Sequence, residues 1–367
     1  MHFIGCLPSN NELLSKTITF LRLPLIVGVV FIHTCLTNAS VGGITLTSGQ
    51  YPIHDIIRYI ISEEFARVAV PLFFFMSGFL FFYSSADFTL ATYKNKLSKR
   101  IHTLLIPYLV WNVAFLVMFF LTQTFMSSMT SGANKLIADY SIIDWIRAFW
   151  NHKDGMPICY QLWFIRDLIV VVLFAPVVYW VVKYLRITGL LLFGFLWCFD
   201  IWVPLTGVSS VSFFFFTFGA WFAINNRDFV DDFKFLRPSF TFLYGLIVVA
   251  NTLIWYNQVE GFSCIHNLGI VVGLIMIVTW VAHGIKSNRL MSNAFWASSS
   301  FFVYAYHTMP LTLFVKLYIK VVHPTTEFAM ILGYLLIPLI VVLIGVIIYM
   351  FIHRFFPKFT RIITGGR

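Results

Sequence analysis

Residues 18–37 read ITFLRLPLIVGVVFIHTCLT, and this stretch decides the fold class. Apart from Arg22, His33 and a few hydroxyls it is apolar. Its length is what a helix rising about 1.5 Å per residue needs to cross a hydrocarbon core of about 30 Å. Similar runs recur at about 66–84, 103–124, 161–182, 188–204, 210–225, 239–257, 265–284, 295–319 and 329–352. The reading is an all-α, polytopic membrane protein of about ten transmembrane helices, forming one membrane-embedded domain over residues 1–367. Pro204 and Gly207 only briefly interrupt the fifth and sixth runs, so one long span over 188–225 is the alternative there.

Composition agrees. The chain is 59% hydrophobic and 11% charged, with mean hydropathy +0.85, whereas a soluble domain carries roughly 25% charged residues. The net charge of +10 does not point to nucleic acid, because the basic residues sit in short clusters between apolar runs. With the N-terminus inside, 16 Lys and Arg fall in cytoplasmic segments, including Lys94, Lys96, Lys99 and Arg100, and 5 fall outside. That excess predicts ten spans with both termini cytoplasmic. The first run lacks a small-residue cleavage site and reads as an anchor. Cys6, Cys35, Cys159, Cys198 and Cys264 show no metal-type spacing, and no metal is expected. Two outer segments exceed simple turns: 38–65 becomes helical in pattern, with Ile56, Ile57, Ile60 and Ile61 on one face, and 125–160 suits an interfacial helix.

Ionisable residues inside spans are costly and mark functional sites. Arg22 and His33 lie eleven positions apart, about three turns, so they project from nearly one face about 16 Å apart along the axis. Arg suits phosphate through its planar fork of donors. His suits acyl transfer because its pKa of about 6.5 lets it take and return a proton. An extended thioester arm spans such a gap. The plainer readings are an arginine snorkelling to headgroups and a histidine bonded to a neighbouring helix. His307 enters its span to a similar depth, with Tyr304 one turn away. Ser77 and Gly78 read as packing residues, and Pro71 as a kink. Arg67 pairs locally with Glu63 or Glu64, or faces the cavity. Arg166 and Asp167, being adjacent, are expected to diverge and to need separate partners. Asp200 near an outer boundary is an acceptor-hydroxyl candidate. Trp145, Trp150 and Trp163 read as an interfacial belt or as sugar-stacking rings.

Five motifs in order carry a resemblance. Arg22-x10-His33 comes first, followed by Val70-Pro71-Leu72-Phe73-Phe74-Phe75-Met76-Ser77-Gly78-Phe79-Leu80. Lys99-Arg100 with Ile106-Pro107-Tyr108, then Leu162-Trp163-Phe164, and finally Phe302-Val303-Tyr304-Ala305-Tyr306-His307 complete the set. Together they resemble the acyltransferase-3 family, integral membrane O-acyltransferases that modify surface glycans. The resemblance implies transfer of an acyl group, acetyl first, from cytoplasmic acetyl-CoA to a hydroxyl of an extracytoplasmic sugar or lipid-linked glycan, at a bacterial inner membrane. It casts His33 as the catalytic residue, general base or transient acyl carrier, with Arg22 orienting the donor. Many relatives have two arginines three apart in the basic loop. Here Arg100 is followed by Thr103, so Lys96, Lys99 and Arg100 are the donor-binding candidates. Arg67, His307, Tyr304 and Trp163 are the acceptor-side candidates. A second, extracytoplasmic transferase, if one takes part, would lie on another chain. The competing class is a transporter or flippase of a lipid-linked glycan, which also gathers polar residues at mid-membrane. It would consume no thioester.

Overall fold

In a hydrocarbon core a backbone satisfies its own N–H and C=O groups only as helix or closed barrel, and these apolar runs are helical. A computed structural model describes residues 9–37, 40–41, 44–83, 88–125, 135–261 and 263–366; Cys6 lies outside them. Among the described residues seven helices are long and apolar enough to cross a membrane: Glu12–His33, Pro52–Phe82, Leu90–Phe125, Ala175–Cys198, Phe229–Tyr256, Ser263–Lys286 and Glu327–Phe355. Shorter helices are Trp163–Leu173, Ser210–Ile224, Ala294–Tyr306 and Thr308–Val322. A minimal antiparallel ladder pairs Ser40–Val41 with Ile44–Thr45.

Several boundaries differ from the sequence reading for identifiable reasons. The second run begins at Pro52, so Ile56, Ile57, Ile60 and Ile61 belong to the same helical run as the Val70–Leu80 motif. A widened turn over Tyr59–Phe65 and a tight one over Ala66–Val68 precede Pro71, whose missing N–H deprives the Arg67 carbonyl of a helical partner. The basic loop is also helical, and the third run extends from Leu90. The Ala175–Cys198 run is not straight. Arg186 has φ +52, and a Cβ on Gly189 would lie 2.6 Å from Val181 Cγ1. The chain therefore doubles back, between the stretches read as 161–182 and 188–204. Pro310 interrupts the ninth run, separating Ala294–Tyr306 from Thr308–Val322.

Small residues set the tightest packing. Gly78 faces the Phe216 backbone, and Gly219 faces the Phe75 backbone in return. With no Cβ on either side, the Pro52–Phe82 and Ser210–Ile224 helices meet backbone to backbone. Phe75, Phe218, Phe222 and Phe229 fill the flank of this crossing with edge-to-face contacts. Near the C-terminal end of the first helix, Ser62 donates to the Phe31 carbonyl at 2.8 Å and receives the Tyr334 hydroxyl at 2.8 Å. This ties three helices together two residues before His33.

The segment expected at the interface holds helix Ile142–Trp150, started by a reciprocal cap between Ser141 and Asp144. Lys135 and Ser141 hold the Asp144 carboxyl well below the usual carboxylate range. Ile142, Ile143 and Ile146 are exposed, as an interfacial apolar face requires. One expectation is corrected here. Arg166 and Asp167 do not diverge: Nε and Nη2 of Arg166 reach Asp167 Oδ1 at 2.9 and 2.8 Å, both residues being buried. The long arginine side chain turns back on its neighbour, while Nη1 donates to the Trp150 and Gly155 carbonyls at 2.7 and 2.5 Å. Far apart in sequence, Cys198 and Cys264 bring their Sγ atoms to 2.6 Å.

Candidate active site

Steps of three and four along the first helix put Ile18, Arg22, Ile26 and Val29 on one face, where they line a cavity of about 230 Å³. Phe73, Met76 and Ser77 of the second helix, Phe164 and Tyr304 close its walls. At one end stand Arg22, Arg100 and Thr103. Both arginines are half-buried and close enough for their charges to interact. No carboxylate pairs with either among the described residues. Two guanidiniums without acids in a largely apolar cavity are suited to hold an anion through charge-assisted hydrogen bonds.

The opposite end stops at Val29, one helical turn short of His33. The His33 ring lies 5.3 Å from that of His307 and 5.3 Å from that of Tyr160. His307 is fully buried, and its Nδ1 lies 2.7 Å from the Tyr304 carbonyl. A carbonyl can only accept, so Nδ1 carries the proton and Nε2 is left as an acceptor. That Nε2 has no partner among the described residues. The Tyr304 hydroxyl donates to the Gln161 carbonyl, and the Gln161 amide donates to the Ala305 carbonyl at 2.8 Å. These bonds fasten the Tyr160–Leu162 turn to the helix carrying Tyr304 and hold Tyr160 against His33. Arg67 is bound by Glu63 at 2.6 Å, and its charge acts on His33. Glu64 faces elsewhere, toward Asn251 and His266.

The structure thus brings together Arg22, Arg100, Tyr304, His307, His33 and Arg67. It does not bring Lys96, Lys99 or Trp163 to the cavity wall. The Lys96 ammonium donates to the Phe81 carbonyl, Lys99 is exposed, and Trp163 packs half-buried against the core. Arg100 lines the cavity, whereas its neighbour Lys99 is exposed outside it. Tyr160 was not singled out in the sequence. Its one signal is its place two residues ahead of the Leu162-Trp163-Phe164 motif.

A family model described as an acyltransferase domain matches residues 16–350, nearly the whole chain. The chain belongs to this acyltransferase family. The succinoglycan biosynthesis protein ExoH of Rhizobium meliloti (strain 1021) is 27% identical over 183 residues, 49% of this chain and 47% of that protein. The match therefore spans about half of that relative's length. No solved structure matches the chain. The cavity of this acyltransferase thus runs from two arginines to within one helical turn of the His33–His307 pair.

Proposed function

We propose that this acyltransferase moves an acyl group, acetyl first, from cytoplasmic acyl-CoA to a hydroxyl of an extracytoplasmic glycan at a bacterial inner membrane. On the ten-span reading with both termini cytoplasmic, Arg22 and Arg100 lie on the donor side. The observation that carries the reading is the cavity itself, which runs from two arginines without acidic partners among the described residues to one turn short of the His33–His307 pair. A thioester arm laid along it leaves its phosphates at the arginines and its carbonyl near His33. ExoH serves succinoglycan biosynthesis by name, which supports a glycan acceptor.

In this mechanism the acceptor hydroxyl enters beside Tyr160 and gives its proton to His33. Its oxygen attacks the thioester carbon, a C–O bond forms, and the C–S bond breaks. The proton passes from His33 to the leaving thiolate, giving ester and free thiol. His307, held through Nδ1 with its ring 5.3 Å from that of His33, steadies the imidazolium in this step. Arg67 and Tyr160 border the acceptor entrance.

The test is acetyl-CoA turnover by the protein in lipid nanodiscs with a panel of glycan acceptors, read as free thiol and as ester on the glycan. Acceptor-dependent release by wild type, lost in His33→Ala, is expected. Equal release by both proteins would remove His33 from the chemistry. Binding and movement of a lipid-linked glycan without thioester consumption would favour the flippase instead.

A further inference from the structure

Beyond residue 350, where the family match ends, the chain turns at Phe356 and forms a short helix, Pro357–Thr364. In sequence this is a basic tail counted only for its charge. In the fold it is an integrated wall. Ile363 is buried in a small core with Phe302 and Tyr349, and its carbonyl accepts the Trp111 indole N–H at 2.9 Å. Thr360 and Thr364 are buried on the same side, while Lys358 and Arg361 face outward. The helix ends on Gly365 and Gly366, both with positive φ, and both line the cavity beside Arg22 and Arg100. Gly365 lies directly on the backbone of Thr103: a Cβ there would stand 2.8 Å from Thr103 Cα and 2.9 Å from its carbonyl carbon. Only glycine meets both demands, the left-handed backbone and the close approach.

Arg361 sits over this turn. A Cβ on Gly366 would meet its Cγ at 3.3 Å and its Cδ at 3.9 Å. The Gly366 N–H donates to the Arg361 carbonyl at 2.9 Å. No described carboxylate pairs with Arg361. A basic residue in a last helical turn complements the helix dipole wherever it occurs, so charge alone says little. The location decides: this one stands at the rim of a cavity whose interior already holds two arginines awaiting an anion.

We propose that the Pro357–Thr364 helix and its Gly365–Gly366 turn complete the donor site, with Arg361 contacting the phosphates of the donor's nucleotide end and Gly365 shaping the wall shared by every donor. The inference rests on the acyl-CoA reading. Arg361 is then a specificity residue that distinguishes a nucleotide-bearing thioester from a bare one.

The experiment compares equilibrium binding of acetyl-CoA and of S-acetylpantetheine, which lacks the nucleotide, to wild type, Arg361→Gln and Gly365→Val in nanodiscs. Arg361 is exposed, so its variant is expected to fold as wild type does. Loss of one charge-assisted phosphate contact should weaken acetyl-CoA binding about five- to tenfold in Arg361→Gln, with S-acetylpantetheine unchanged. Gly365→Val should weaken both donors. An unchanged acetyl-CoA affinity in Arg361→Gln, or an equal loss for both donors, overturns the specificity role. Unchanged binding in Gly365→Val overturns the wall. A wild type that binds neither thioester defeats the acyl-CoA reading itself, and the inference with it.

Discussion

Asp167→Leu tests whether the buried ion pair holds the 151–158 segment in place. Arg166 and Asp167 are only 4% and 2% exposed, and two of the arginine's donors end on one carboxylate oxygen. Removing that carboxylate leaves a buried guanidinium whose remaining bonds run to the Trp150 and Gly155 carbonyls. Breaking a buried pair from one side costs about 3–5 kcal/mol, because the surviving charge stays uncompensated. Against a total stability of about 5–15 kcal/mol, that is a large fraction, visible as a marked drop in melting temperature in nanodiscs. The double variant Arg166→Met/Asp167→Leu removes both charges and should recover most of the loss, since apolar replacement of a whole buried pair is often close to neutral. It cannot recover the two carbonyl bonds. Residues 151–158 should loosen, cleavage by trypsin at Lys153 should accelerate, and transfer should fall as Tyr160 leaves His33. A melting temperature of Asp167→Leu indistinguishable from wild type would refute the argument.

Three further outcomes follow from the same structure. His307→Asn keeps a donor to the Tyr304 carbonyl but deletes Nε2, so kcat should fall about a hundredfold or more with KM nearly unchanged. Single-turnover kinetics showing less than about a threefold drop would remove His307 from the support of the His33 imidazolium. Gly219→Val places a branched side chain against the Phe75 backbone and should cost at least about 1–3 kcal/mol, or prevent insertion altogether; normal yield and melting behaviour would contradict the backbone crossing. Mild oxidation should link Cys198 to Cys264, read as two maleimide sites lost from intact protein. Retention of both reactive thiols would show that the ends of Arg186–Cys198 and Ser263–Lys286 do not meet.

The helical class and the face shared by Arg22 and His33 were legible because both are periodic properties of single segments. Ordered motifs added His307 and Tyr304 for the same reason, each being fixed by position along one helix. The missed features are tertiary. Tyr160 matters only because the Gln161 bonds to Tyr304 and Ala305 carry its turn to His33. Cys198 and Cys264 are 66 positions apart in sequence, and nothing local links them. The basic-loop motif groups Lys96 and Lys99 with Arg100, but Lys99 is exposed outside the cavity and a carbonyl captures Lys96. The Arg166–Asp167 expectation failed because side-chain direction at Cα does not limit where a long guanidinium ends. The Pro357–Thr364 helix was invisible as a wall, since a basic tail looks the same whether it drifts in solvent or packs on Trp111.

The two arginines at the cavity end have a kinetic corollary. On the acyl-CoA reading, what they grip is common to donor and product, because the phosphates survive the reaction unchanged. Their binding energy is therefore uniform: it raises affinity for the spent carrier as much as for the loaded one and contributes nothing to the chemical barrier. Turnover then depends on how fast free thiol leaves. Such an enzyme reads the ratio of acylated to free carrier in the cytoplasm, slowing when the acyl supply runs down even if glycan is plentiful outside.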